Sequence, residues 1–230
     1  MSGGQVVIIG GTAGIGKELA TSYAREGRDV VISGRDAARA ERVASEIGGS
    51  TTGIGVDLAA PESIARTLDG VGSVERLAIT AIERDVNRVV DYDTLSAQRL
   101  VILKLVGYLQ AVHVLSKRFT ADASIVLFGG LAKERPYEGS TTVSTVNGGV
   151  SGMVRTLACE LAPVRVNAVH PGIVGDSPYW EGKPLDAVVS RTPIGRLVTM
   201  AEVVEATRFL LESGGVNGVD LFVDGGWLLR

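Results

Sequence analysis

Three glycines in one short segment set the first chemical possibility. In Gly10-Gly11-Thr12-Ala13-Gly14-Ile15-Gly16, Gly10 permits a sharp turn out of the apolar run Val6–Ile9, Gly14 lets the backbone approach an anion, and Gly16 lets a helix pack closely on a strand. The anion such a loop accepts is a pyrophosphate, held by the free N–H groups of the following helix, so Gly10, Thr12, Ala13, Gly14, Ile15 and Gly16 are candidate cofactor contacts. A glycine turn without a ligand is the alternative, and the loop's place after the first strand of a βαβ series argues against it. About 20 residues on, where an NAD site places a carboxylate for the ribose 2′-hydroxyl, the chain reads Ser33-Gly34-Arg35-Asp36. Gly34 holds that place and Arg35 follows, and a guanidinium suits the 2′-phosphate of NADP. Asp36 is the competing acid, but it directly precedes the helical pattern Ala37–Ile47 and reads as its N-cap.

Lys104 is the catalytic candidate. It interrupts the apolar run Val101 to Leu109. A buried ammonium has a depressed pKa and could act as an acid, a ribose ligand or a carbonyl polariser; a lysine snorkelling at an oligomer interface is the plain alternative. Tyr137, in Lys133-Glu134-Arg135-Pro136-Tyr137-Glu138, either reaches the site or marks an exposed connection, and the charge and proline around it favour the latter. His113 falls on the opposite side of the helix from Lys104, and His170 precedes Pro171-Gly172 at a strand end; both read as structural. One cysteine, Cys159, and two scattered histidines leave no expected metal site. Tyr179 and Trp180, in the segment Asp176 to Pro184, either cover a substrate as a lid or pack the following helix.

Positioning these residues requires alternating strands and helices. Continuous apolar runs at Val6–Ile9, Val30–Ser33, Gly53–Val56, Leu77–Thr80, Ser124–Phe128, Val164–Val169 and Val219–Val223 read as strands buried on both faces. Helical periods lie between them, as in Ile15, Leu19 and Tyr23. The order implies an α/β, single-domain, doubly wound Rossmann fold over residues 1–230, with ligand at the carboxyl ends of the strands. Thr94 to Arg118 and Val143 to Leu161 are apolar on more than one stripe, which predicts a second subunit against one of them: a homodimer or homotetramer. Glycine, at 30 of 230 residues, is close to twice the roughly 7% of an average chain. A formal net charge of −3 without basic clusters argues against nucleic acid and anionic membrane as partners. Without a signal-peptide pattern or an apolar run near the ~18 residues of a membrane span, the expectation is a cytoplasmic protein acting on a small-molecule substrate.

With these motifs in order, the chain resembles the short-chain dehydrogenase/reductase family over nearly its whole length. Gly10, Gly14 and Gly16 match TGxxxGxG, with Ile9 for the threonine; further matches are Val56-Asp57-Leu58, Arg165-Val166-Asn167-Ala168-Val169-His170-Pro171-Gly172, Asn217-Gly218, and Val223-Asp224-Gly225-Gly226. The resemblance implies a seven-stranded parallel sheet flanked by helices on both faces. It implies adenine contacts at Asp57 and Leu58, cofactor contacts at Thr80 and Ala81 where the family has NNAG, and Pro171, Gly172, Ile173 and Val174 along the nicotinamide end.

The family's catalytic set is not matched. Its helix asparagine aligns with Lys104, its serine with Gly130, its tyrosine with Val143 and its lysine with Asn147. The thirteen-residue spacing from Gly130 to Val143, followed by Gly152 and Glu160-Leu161 in their expected places, fixes that alignment. In the family the tyrosine donates the proton, while the lysine lowers its pKa and holds the nicotinamide ribose. Valine donates nothing, glycine offers a carbonyl no side chain, and Asn147 is left to bond the ribose hydroxyls without a charge. The chain is also similar to a divergent branch marked by Glu160-Leu161-Ala162-Pro163-Val164-Arg165-Val166-Asn167, which lacks the tyrosine–lysine pair. The implied function is hydride transfer from NADP(H) to a small carbonyl, imine or activated alkene with an atypical proton source. The alternatives are an inactive NADP(H)-binding sensor and a non-redox enzyme in the emptied pocket.

Overall fold

A computed structural model describes residues 3–230. Met1 and Ser2, the start of the expected domain, lie outside the described residues. Seven parallel strands form one sheet in the order β3-β2-β1-β4-β5-β6-β7. They are β1 Gln5–Ile9, β2 Val30–Gly34, β3 Thr51–Gly55, β4 Val74–Ile79, β5 Phe119–Phe128, β6 Arg165–Pro171 and β7 Asp220–Val223. All seven expected strands are present. β5 begins five residues before its apolar run, because Phe119 already pairs with Val74.

Residues alternate between two cores, which is why the strands read as unbroken apolar runs. Val7 and Ile9 of β1 join Leu77, Ile79, Ile125 and Leu127 on one face; Val6 and Ile8 join Ile32, Ala78 and Val126 on the other. The second face is covered by α1 (Gly14–Arg25), α2 (Ala37–Ile47) and α8 (Met200–Glu212). The first is covered by α3 (Pro61–Thr67), α4 (Thr94–Val101), α5 (Tyr108–Leu115) and α6 (Thr141–Glu160). A short α7 (Asp186–Val189) lies beyond β6.

α4 and α5 are one helical rod joined by a π-turn at Ile102–Gly107. The rod continues to Arg118 and is long and apolar enough to cross a membrane by length and composition, with a mean hydropathy of 1.4. It is not an unbroken apolar run, since Gln98, Arg99, Lys104, Gln110 and His113 interrupt it. One face of it packs inside the protein, where Leu100, Leu103, Tyr108, Ala111, Val112 and Leu115 are buried, while Leu95, Val106 and Leu109 are exposed. Gly107 is required where the rod crosses the chain after β3, since a Cβ there would lie 2.8 Å from that of Leu58 and overlap its carbonyl.

Candidate functional site

The carboxyl ends of β1, β4, β5 and β6 bring most of the chemistry-bearing residues to one edge of the sheet, where ligands bind in doubly wound folds. At the end of β1, the N–H groups of Gly10 and Gly11 both donate to Ser33 O, at 3.1 and 2.9 Å. Thr80, at the end of β4, donates its hydroxyl to Gly10 O at 3.1 Å. The loop is so tight that a Cβ on Gly10 would lie 2.6 Å from Ala81 N, one on Gly16 2.7 Å from Thr80 Oγ1, and one on Gly34 2.7 Å from Thr12 Cγ2. Gly14 is the opposite case: its φ is +52°, and nothing lies within 4 Å of its Cβ position. Ala13 precedes α1 and supplies no side-chain cap, so the first N–H groups beside Gly14 and Ile15 face that open space unpartnered by a side chain. Free donors, a positive helix end and room at Gly14 fit a pyrophosphate.

Arg35 is exposed at the end of β2, beside the Thr12–Gly34 contact. Asp36 accepts from Arg39 N at 3.2 Å and caps α2, the role its position suggested. Asp57 accepts from Ala59 N at 2.9 Å and turns the chain after β3, with Leu58 buried behind it.

Lys104 sits in the π-turn and is 2% exposed. Its Nζ donates to Tyr108 Oη at 3.1 Å, and burial pulls its pKa down to about 7. Tyr108 Oη in turn donates to Ala81 O at 2.8 Å, and burial pushes its pKa well above the ordinary phenol value. The pair thus ties α5 to the end of β4. Tyr108 was missed in the sequence, although its place four residues after Lys104 puts both on one helix face.

Under the end of β5 lies a second polar network. Gly130 N donates to His170 Nδ1 at 3.0 Å, which leaves the ring proton on Nε2, facing Asp220 Oδ1 at 2.9 Å. Lys133 Nζ completes the circuit on Asp220 Oδ2 at 3.1 Å. Burial lowers the His170 pKa despite the carboxylate; burial alone would raise Asp220, but its bonds to His170 and Lys133 hold it below the ordinary value. The ring leaves no room for a Cβ on Gly129. His170 is buried in this network, and Asp220 and Lys133 were not anticipated as its partners.

Asn147, on α6, is buried with its carboxamide against Gly130. Val143 lies one turn earlier on the same helix. From Pro171 the chain passes through Gly172, whose N–H donates to Val223 O at 2.9 Å, to Ile173 and buried Val174. The Tyr179 ring is approached by the Arg84 guanidinium, 3.1 Å from the centroid, and by Lys183 Nζ at 3.2 Å, and stands edge-on to Trp180. This stack joins the loop after β4 to the loop after β6. Tyr137 is exposed on its connecting loop, and His113 and Cys159 are exposed away from these contacts. Among the described residues, no group of three or more His, Cys, Asp or Glu could hold a metal ion.

Comparison with known proteins adds the following. The family model described as enoyl-(acyl carrier protein) reductase matches residues 10–228. Carbonyl reductase family member 4 of Danio rerio is 30% identical over 230 residues, covering 96% of each chain. A solved short chain dehydrogenase/reductase family protein superposes with a TM-score of 0.89 at 30% identity, covering all of both chains. The 3-ketoacyl-(acyl-carrier-protein) reductase of Brucella melitensis, solved in complex with NADH, superposes with a TM-score of 0.87 at 26% identity over 99% of each chain.

Proposed function

The chain belongs to the short-chain dehydrogenase/reductase family, and from that membership we propose that it is an NADP(H)-dependent oxidoreductase whose proton is handled by Lys104 rather than by a tyrosine. A bound reduced nicotinamide supplies the hydride. The loop Gly10, Thr12, Ala13, Gly14, Ile15 and Gly16 holds the pyrophosphate, Gly34 gives the ribose passage, and Arg35 pairs with the 2′-phosphate. Asp57 and Leu58 take the adenine, Thr80 and Ala81 floor the ribose side, and Pro171, Gly172, Ile173 and Val174 line the nicotinamide end.

The observation that carries the proton assignment is Lys104 itself: a buried amine in an apolar stretch of helix, bonded among the described residues to the Tyr108 hydroxyl, with a pKa of about 7. Such a group is divided between acid and base at neutral pH, which suits general acid–base work. Val143 and Gly130 offer no hydroxyl to a ketone. The vacancy favours substrates that need no strong acid: an iminium becomes a neutral amine on receiving hydride, and an activated alkene becomes an enolate that solvent protonates. The second reading is a protein that binds NADP(H) without turning it over, and Val143 and Asn147 in place of the tyrosine–lysine pair favour it.

Turnover separates them. NADPH oxidation is measured with a ketone, a cyclic imine and an enone, in wild type and Lys104→Ala. Oxidation that Lys104→Ala reduces at least a hundredfold supports the enzyme. Tight NADPH binding with no oxidation by any substrate supports the binding protein, and oxidation unchanged in Lys104→Ala removes Lys104 from the chemistry.

A further inference from the structure

Gly130 and Asn147 come from the exit of β5 and the second turn of α6 and meet at the floor of the site. A Cβ on Gly130 would lie 2.8 Å from Asn147 Nδ2 and 3.4 Å from its Cγ, so the carboxamide occupies the volume a side chain at position 130 would need. Gly130 cannot back away from it. Its N–H is held by His170 Nδ1 at 3.0 Å, and that ring is fixed through Asp220 to Lys133.

Asn147 is 5% exposed, and no described residue forms a hydrogen bond with its carboxamide. Folded proteins seldom leave a buried amide without a partner, because the lost bonds to water are not replaced. Thr142 on the same helix has a sealed, unpartnered hydroxyl, whereas the polar atoms of Asn147 are not among such sealed groups and keep a little exposure. The amide carries two donors and an acceptor, and it is neutral at every working pH.

We propose that the Asn147 carboxamide is the substrate-binding group of this site, donating from Nδ2 to a substrate carbonyl oxygen, and that Gly130 is the vacancy that makes room for it. The assignment of a carbonyl ligand rests on the oxidoreductase reading; the placement of the amide does not. The family alignment gives Asn147 to the cofactor ribose, but its short side chain stops against Gly130. A neutral amide holds a carbonyl oxygen without supplying a proton, so the site selects carbonyls conjugated to an alkene, where the charge left by hydride is delocalised.

Two measurements on NADP(H)-loaded protein test this. In a thermal-melting cycle, Gly130→Ser lowers Tm by several degrees and Gly130→Ser/Asn147→Ala recovers most of the loss; additive effects would overturn the shared volume. In the second, 2-cyclohexen-1-one binding to the NADP⁺ complex is followed by ligand-observed NMR, alongside NADPH affinity by fluorescence. Asn147→Asp, which keeps the shape and removes the donor, weakens cyclohexenone at least fivefold and changes NADPH affinity less than twofold; Asn147→Ala does the same. A parallel tenfold loss of NADPH affinity would make Asn147 a ribose ligand, and unchanged or absent cyclohexenone binding would equally overturn the proposal. Wild type that binds cyclohexenone but never oxidises NADPH would remove the oxidoreductase reading alone.

Discussion

At the scale of single residues, Lys104 sets stability against chemistry. Burial lowers its pKa from 10.5 to about 7, so between those values the unfolded chain holds a proton that the folded chain does not. Stability therefore rises with pH across that window, and below about pH 7 the cost of burying the ammonium is complete. Lys104→Met is expected to stabilise the fold at pH 7 by on the order of 3 to 5 kcal/mol, or roughly 10 °C in Tm, and to flatten the rise up to pH 10.5. Melting curves from pH 6 to 10.5 read both effects. Arg35 answers a different question. Arg35→Ala should weaken NADPH roughly 10- to 100-fold and leave NADH unchanged, since only the former carries the 2′-phosphate. Both residues were legible because each breaks a local pattern: a charge inside an apolar run, and a cation where a carboxylate is expected. The partners Tyr108 and Asp220 were not. Asp220 lies 50 positions from His170, and only the pairing of β6 with β7 brings them together.

At the scale of elements, the strands and the first helix were readable from apolar runs and glycine spacing, because a strand buried on both faces has little freedom in composition. The π-turn at Ile102–Gly107 was not, since one widened turn leaves the helical period nearly intact. It ends at Gly107, which packs directly against Leu58. Gly107→Ala should therefore lower Tm by several degrees, although alanine favours helices elsewhere. The network beneath β5 has its own signature. His170 stays neutral as it accepts from Gly130, with its pKa lowered by burial, so the unfolded chain takes up a proton first as pH falls below about 6.5. Wild-type denaturation midpoints should fall from pH 7 towards pH 5, and His170→Asn should remove part of that slope.

At the scale of the whole molecule, the doubly wound order gathers residues from β1, β4, β5 and β6 at one edge, so that motifs spread from Gly10 to Val174 converge on the site proposed there. The long rod from Thr94 to Arg118 leaves Val106 and Leu109 exposed, and Gly148 and Gly152 on α6 face open space. Those surfaces carry the expectation of a homodimer or homotetramer, and Leu109→Glu should shift the mass measured by light scattering towards the monomer. Everything proposed for the site depends on the nucleotide. Calorimetric titration of the purified protein with NADPH at pH 7 should give a micromolar dissociation constant, at least tenfold tighter than for NADH. No binding of NADPH at millimolar concentration would remove the cofactor, and with it both readings of the function.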